Sequence, residues 1–270
     1  MRFRPESPVF AGPASQEEGY ADMKSIFFRQ AGRLWFEGLL LFALRLTQNL
    51  TGFDPDTGLS LPSLAGVILV VLLAADVLYE LLECRRLDKT RAGFSQRFAA
   101  PQKEVPFLAV GCFLLIAGGG LTALSGAGGA SGVAALAAGV MAIVSGGGIL
   151  FLVRSMRSGA AVSVAPVLPA MFFGVFLVLA IYLPAADDPV LARYYLPVLA
   201  AAMVAYAFSL LAGFLRGESS PRSFTPVADL AVILSVAALA DGDIPQKLLF
   251  AGCAVILSVF LLLQRQNLEG

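Results

Sequence analysis

Residues 61–91 read LPSLAGVILVVLLAADVLYELLECRRLDKTR, and this stretch decides the fold. It opens with an apolar run that carries no charge before Asp76, and it ends in a cluster of basic residues. About 20 apolar residues are needed to cross roughly 30 Å of hydrocarbon, and basic residues flank the cytoplasmic ends of such spans. The stretch therefore predicts a transmembrane helix over 61–83 whose carboxyl end lies in the cytoplasm.

The rest of the chain repeats this arrangement of apolar runs and short polar gaps. Of its 270 residues, 58% are hydrophobic and 14% are charged, against about 45–50% and about 25% in soluble domains. The composition therefore predicts an all-α, polytopic transmembrane helical bundle. The predicted spans lie near 34–52, 61–83, 105–124, 132–153, 165–184, 194–215, 224–240 and 246–264.

The first of these segments, 34–52, is open to two interpretations because it contains Glu37 and Arg45. It either crosses the membrane, which gives eight spans, or lies flat as an interfacial helix, which gives seven. With eight spans, 16 of the 19 Lys and Arg residues lie on one side, two lie on the other (Arg193 and Lys247), and Arg45 lies within a span. This asymmetry favours eight spans in the plasma (inner) membrane, with both termini cytoplasmic.

The domain organisation follows from these spans. We predict a flexible cytoplasmic N-terminal tail over 1–32, a single transmembrane domain over 33–265 and a C-terminal tail over 266–270. Segment 61–83 also aligns loosely with 196–218. This similarity indicates either a weak four-plus-four parallel repeat or only the likeness that all Leu/Ala/Val helices share.

Ionisable residues within spans are costly in lipid, so they are candidates for function. Asp76, Glu80 and Glu83 lie at i, i+4 and i+7 on one face of span 61–83, which descends to the cytoplasmic surface. Glu37 and Asp229 lie near the same surface in their own spans. We predict substrate or ion binding by Asp76, Glu80 and Asp229, with Glu37, Arg45 and Glu83 as secondary candidates.

Glycines interrupt span 132–153 at Gly146, Gly147 and Gly148. Small residues also recur every fourth position along this span, which favours close packing against another helix. The glycine run therefore predicts either tight packing or a hinge of the kind found in transporter binding sites. The small residues of this ridge are Ala134, Ala138, Ala142 and Gly146.

The loop after span 61–83 is basic and contains the aromatic residues Phe94 and Phe98. It is expected either to lie on the inner leaflet and contact anionic lipid headgroups, or only to hold the loop in the cytoplasm. The residues expected to contact headgroups are Arg85, Arg86, Lys89, Arg91 and Arg97.

Several functional classes are disfavoured by the residues that the chain lacks. It contains no His, and its three Cys residues form no CxxC pair, so we predict no metal site and no cofactor. No catalytic motif is present, which disfavours an enzyme, and so short a basic segment disfavours nucleic-acid binding. We therefore expect a small permease for a small solute or ion with a cytoplasm-facing acidic vestibule.

Two alternatives remain beside the permease. The first is a non-catalytic accessory or scaffolding subunit, which would have a membrane-protein partner or form a homo-oligomer. The second is a lipid-handling membrane protein or enzyme. A polar cavity lined by Asp76 and Asp229 would favour transport, whereas a solid bundle would favour the subunit.

Overall fold

A computed structural model describes residues 13–54, 61–87, 94–98, 104–125, 129–157, 167–186 and 194–269. Regular structure in these segments is helical, which confirms the predicted helical bundle. The helices are α1 (Pro13–Thr51), α2 (Leu64–Glu83), α3 (Phe94–Arg97), α4 (Val105–Ser125), α5 (Gly129–Arg157), α6 (Leu168–Ala186), α7 (Tyr195–Leu215), α8 (Pro221–Ala237), which continues as a 3₁₀ turn (Ala238–Ala240), and α9 (Ile244–Glu269).

Within these segments, six helices are long and apolar enough to cross a membrane. Such helices suit lipid because they satisfy their backbone hydrogen bonds internally. The protein is therefore a multipass membrane protein. The six spans are Leu64–Glu83, Val105–Ser125, Gly132–Ser155, Tyr195–Leu215, Pro221–Ala240 and Ile244–Asn267, and a shorter apolar helix covers Leu168–Leu183.

Local sequence signals explain where several of these helices begin. The Ser63 hydroxyl accepts a hydrogen bond from the Gly66 amide and caps α2. At α8, Pro221 occupies the first turn after Ser220, where its missing N–H leaves no helical bond unmade. Helix α1 begins at Pro13, well before the predicted span at 34–52, because no further proline interrupts the segment before Thr51.

Six of the helices form a closed ring. Helices α4 to α9 pack on one another in chain order, and α9 packs back against α4. Helix α1 lies outside the ring against α8, and α2 packs on α1 and α8. A parallel four-plus-four repeat would relate α1 to α6 and α4 to α8. The contact between α1 and α8 would then recur as a contact between α6 and α4, but the main neighbours of α4 are α5 and α9. The repeat stays a prediction.

Helices α1 and α8 run in the same direction. Arg33 of α1 lies beside Asp229 of α8, and Arg45 lies beside Asp241, which follows α8. Each pair of positions is twelve residues apart in sequence, or about 18 Å along a helix. Gly38 permits the close contact between them, since a Cβ there would lie 2.8 Å from the Val236 Cβ. We refer below to the Arg33 end and the Arg45 end of the bundle.

An aromatic cluster fills the Arg33 end. Phe98 packs edge-on against Phe214, Phe224 and Phe260, with ring centroids 5.1–5.9 Å apart, and Phe94 packs on Phe98 at 4.7 Å. Phe94 and Phe98 are both buried. These two rings therefore face the bundle, where other aromatic side chains give them an apolar surface. Lipid contact by the basic residues of the loop stays a prediction.

The glycine run of α5 lies within a continuous helix. A Cβ at Gly146 would lie 2.9 Å from the Cys112 carbonyl oxygen and 2.6 Å from Ile116 of α4, whereas a Cβ at Gly147 would meet nothing within 4 Å. Ala138 and Ala142 on the same ridge are fully buried. Close packing of α5 on α4 thus accounts for Gly146. A hinge at Gly146, Gly147 and Gly148 stays a prediction.

Candidate functional site

Several ionisable residues gather at the Arg33 end, between α1, α2, α8 and α9. Arg33 donates from Nη2 to Glu80 Oε1 at 2.7 Å, and the same nitrogen lies 3.9 Å from Asp229 Oδ2. Arg265 Nη2 of α9 donates to Asp229 Oδ2 at 2.7 Å. Two arginines from different helices therefore converge on the carboxylate of Asp229.

Two further carboxylates complete this group. Arg33 Nε lies 3.6 Å from Glu37 Oε1, one turn further along α1. Asp76, one turn before Glu80 on α2, interacts electrostatically with Arg33 and Glu37. We call the six residues the acidic cluster: Arg33, Glu37, Asp76, Glu80, Asp229 and Arg265. When all are ionised, its four carboxylates and two guanidiniums carry a formal charge of −2.

The acidic cluster is buried on one side and open on the other. Asp229 and Glu80 are buried, whereas the side chains of Arg33 and Glu37 each keep 28% of their surface exposed. The guanidinium of Arg33 also stacks over the Tyr79 ring, 4.5 Å from its centroid. A cation arriving at the open side therefore meets Arg33 and Glu37 before Glu80 and Asp229.

The innermost part of the acidic cluster has unmatched polar atoms. Asp229 Oδ1 is buried and accepts no hydrogen bond from a donor in the part of the chain that the structure describes. One turn before it, Thr225 donates to Gln264 Oε1 at 3.2 Å, while Gln264 Nε2 is buried and unpaired among the same residues. Unmatched buried polar atoms are costly, so they commonly mark a site with a function.

The structure separates Glu83 from the other predicted carboxylates. Glu83 Oε1 accepts from Arg86 Nη1 at 3.0 Å at the end of α2, where Arg86 is 80% exposed. Glu83 differs from Asp76 and Glu80 for two reasons. It is the last residue of α2, and residues seven apart on a helix lie on the same face only approximately. Glu83 is therefore a surface ion pair outside the acidic cluster.

Arg45 lies at the opposite end and is fully buried. Its Nε donates to both carboxylate oxygens of Asp241, at 3.0 Å and 2.8 Å, and its Nη1 donates to Gln48 at 2.8 Å. Asn49 Nδ2 also donates to Asp241 Oδ1 at 2.8 Å, and the Tyr195 ring lies beneath the guanidinium at 5.0 Å. Arg45 is thus a fully paired buried cation.

A cavity of about 390 Å³ lies beside this pair at the Arg45 end. Asn49 and Phe53 line it from the end of α1, and Ile181, Tyr194 and Asp241 line it from α6, the start of α7 and the turn after α8. Binding sites for small ligands begin at about 300 Å³ and combine apolar walls with a few polar groups. The cavity is therefore large enough for a small polar solute.

The predicted headgroup residues occupy different environments. Arg85 and Arg86 are exposed just after α2. Arg97 is partly buried, and its carbonyl oxygen accepts from Asn267 Nδ2 at 3.3 Å. Lys89 and Arg91 lie outside the described residues. Exposure of Arg85 and Arg86 leaves the headgroup contact of these residues a prediction.

Sequence reasoning identified the carboxylates but missed their partners. Arg33 and Arg265 fall outside or at the edge of the predicted spans, and Asp241 belongs to an apparently solvent-exposed loop. The available signal was charge balance, since each buried ion requires a partner. A second signal is that Arg33 and Arg45 have the same spacing in sequence as Asp229 and Asp241. This spacing predicts two ion pairs only if α1 and α8 are known to be neighbours.

Within the residues described, no three His, Cys, Asp or Glu side chains are arranged to hold a metal ion. The acidic cluster instead surrounds two guanidinium groups, with which its carboxylates form ion pairs. No protein-family model matches the chain, and neither a curated protein nor a solved structure matches it.

Proposed function

We propose that this protein is a small permease for a small solute or ion, in which the acidic cluster binds a coupling cation or proton. The observation that carries the proposal is the excess of two carboxylates over guanidiniums in the acidic cluster. A network that served stability alone would be expected to balance its charges, because uncompensated buried charge is costly. An excess of carboxylates leaves room for a further positive charge.

The cavity at the Arg45 end supports the same proposal. It lies at one end of the α1 and α8 pair, and the acidic cluster lies at the other. A change of charge at Asp229 would act on α1 through Arg33, and α1 also carries Asn49 and Phe53 of the cavity wall. The parallel helices thus offer a physical connection between an ion site and a solute site.

We further propose that α1 crosses the membrane, giving eight spans with both termini cytoplasmic in the plasma membrane. The support is that α1 lies alongside the apolar helix α8 from the level of Asp229 to that of Asp241. An interfacial helix would cross α8 at a steep angle and could not contact both ends of it. Arg85 and Arg86 would then face anionic lipids of the inner leaflet.

The test is a search for solute-triggered charge movement. Purified protein is reconstituted into liposomes and adsorbed on a solid-supported membrane, and currents are recorded on addition of amino acids, sugars, carboxylates and alkali cations in turn. Wild-type protein is expected to give a transient current with at least one solute. The Asp76→Asn variant should abolish that current while leaving expression intact, because it removes one carboxylate of the acidic cluster.

Glu83→Gln provides the matched control, since it neutralises a carboxylate on the same helix that pairs with exposed Arg86. Its current should equal that of the wild type. An undiminished current in Asp76→Asn would refute the role of the acidic cluster. Wild-type currents no larger than those of protein-free liposomes for every solute would refute the permease.

A non-catalytic accessory subunit is the second candidate, and α2 favours it. Only 17% of this helix is buried within the bundle, and Val67, Val71 and Leu78 are among its exposed apolar side chains. A partner helix could cover this face. Extraction from the native membrane into lipid nanodiscs, followed by native mass spectrometry, would then show a stoichiometric partner, whereas a lone chain would exclude this candidate.

A further inference from the structure

The two innermost carboxyl groups of the acidic cluster lie beside the same guanidinium nitrogen. Glu80 Oε1 and Asp229 Oδ2 lie 2.7 Å and 3.9 Å from the same nitrogen, Arg33 Nη2. Both residues are buried. A carboxyl pair of this kind resembles the close acid pairs in which like charges oppose simultaneous ionisation.

The donors that the structure describes around this pair leave one buried oxygen without a hydrogen bond. Ionised carboxylates contain no hydrogen and can only accept. Arg33 donates to Glu80 Oε1, and Arg265 donates to Asp229 Oδ2. Asp229 Oδ1 meanwhile accepts from no donor among the described residues. One proton on the pair supplies the missing hydrogen.

A metal ion is a poor occupant of the same space. Sodium, potassium and magnesium ions require several oxygen ligands around a common centre. Here, guanidinium nitrogens approach the carboxylate oxygens to 2.7 Å from both α1 and α9, and a metal cation would be repelled by both. A proton needs only one acceptor and adds no volume.

We propose that the charge bound by the acidic cluster is a proton, held between the carboxyl groups of Glu80 and Asp229. This inference rests on the proposed permease only for its physiological use, since the proton site itself follows from the geometry. In the bound state, the formal charge of the acidic cluster is −1. Loss of the proton to water at the open side leaves both acids ionised and returns the charge to −2.

The surrounding charges determine what this proton does. Facing groups are Arg33 and Glu37 from α1, Asp76 and Tyr79 from α2, and Arg265 from α9. With the proton bound, the pair joins α2 to α8 directly. Without it, Glu80 and Asp229 repel each other, and Arg33 becomes the main link between α2 and α8. Proton release is therefore expected to loosen α2 from α8 at the Arg33 end.

Infrared difference spectroscopy tests this site without knowledge of a substrate. Protein in lipid nanodiscs is titrated from neutral to alkaline pH, and the carbonyl stretch of protonated carboxyl groups is recorded in H₂O and D₂O. Wild-type protein is expected to lose one carboxyl equivalent on titration, with the isotope shift of an exchangeable proton. Glu80→Gln and Asp229→Asn should each lack this band, whereas Glu83→Gln should retain it.

Glu80→Gln keeps the test decisive even where Asp229→Asn fails to fold. A glutamine amide can donate to Asp229 as the protonated acid does, so this variant should elute as a monodisperse species and unfold at the same temperature at neutral and alkaline pH. Persistence of the full band in Glu80→Gln would overturn the proposal. Loss of the wild-type band on replacing choline chloride with NaCl, KCl or MgCl₂ at fixed pH would also overturn it, because a metal would then displace the proton.

The proton site and the permease fail in different ways. A titrating band without any solute-triggered current would leave the proton site intact and remove the permease. Currents without a titrating band would leave the permease intact and assign its coupling charge elsewhere.

Discussion

Arg45 shows how a charged side chain is accommodated within this bundle. A lone arginine at mid-helix position in lipid is costly, yet Arg45 is fully buried. Asp241 neutralises its charge and accepts a bifurcated hydrogen bond from Nε, and Gln48 accepts a second hydrogen bond from Nη1. The residue is therefore a structural ion pair that fixes the Arg45 end of α1.

Removal of one partner of this pair should be strongly destabilising. We expect Arg45→Met to lower the free energy of unfolding by about 3–5 kcal/mol, since it leaves the Asp241 carboxylate buried without its cation. The measurement is denaturant or thermal unfolding of the purified protein in detergent. Arg86→Met serves as the control, because Arg86 is 80% exposed and its loss should leave the unfolding temperature unchanged.

The double variant Arg45→Met/Asp241→Asn decides whether the effect belongs to the pair. It removes both charges, so it should recover at least half of the stability lost in Arg45→Met. A double variant less stable than either single variant would show that the two residues act independently.

At the scale of the helix, small residues determine which neighbours can approach. Gly146 faces α4 and Gly147 faces away from every other described helix, although the two are adjacent in sequence. Helices in lipid associate through such close contacts because no hydrophobic effect drives them together. The contribution of a glycine to packing therefore depends on the helix face on which it lies.

Leucine substitutions at these two glycines should have opposite consequences. Gly146→Leu is expected to destabilise the protein by roughly 1–3 kcal/mol, because the side chain would overpack against the Cys112 carbonyl oxygen and Ile116. Gly147→Leu should leave stability unchanged or slightly higher, since it meets open space and raises helix propensity. Thermal unfolding of both variants in the same detergent checks this. Equal loss of stability in both would instead favour a hinge that needs every glycine.

At the scale of the whole molecule, the bundle has two parts, the six-helix ring and the outer pair formed by α1 and α2. The ring is closed by contacts from α4 around to α9 and is filled with aromatic rings at the Arg33 end. The outer pair holds α8 through the acidic cluster and through Arg45.

The proposed crossing of α1 makes a prediction about sidedness. In a background with the three native cysteines replaced, single cysteines at Ser15 and at Asp54 should be labelled from opposite sides of the cell by a membrane-impermeant maleimide. Ser15 lies near the start of α1 and Asp54 follows its end, so α1 itself separates them. Labelling of both from the same side would exclude the proposed topology.

The sequence alone indicated that this protein lies in lipid, and it located most of the long apolar helices. Apolar runs are a local property, and the predicted span 194–215 differs from α7 by a single residue. The positions of Asp76, Glu80 and Asp229 relative to their helix ends are equally local, so the sequence placed them near one surface. Helical periodicity and charge sorting sufficed for all of this.

Only the tertiary structure decided which charges meet. Arg45 and Asp241 are separated by 196 residues along the chain, and nothing local to either indicates that α1 lies against α8. The burial of Phe98 could not be predicted from the sequence either, because it depends on aromatic rings from α7, α8 and α9. Pairing and burial are properties of neighbouring helices, and in lipid those neighbours are selected by surface shape and charge complementarity rather than by the apolar pattern that all of the spans share.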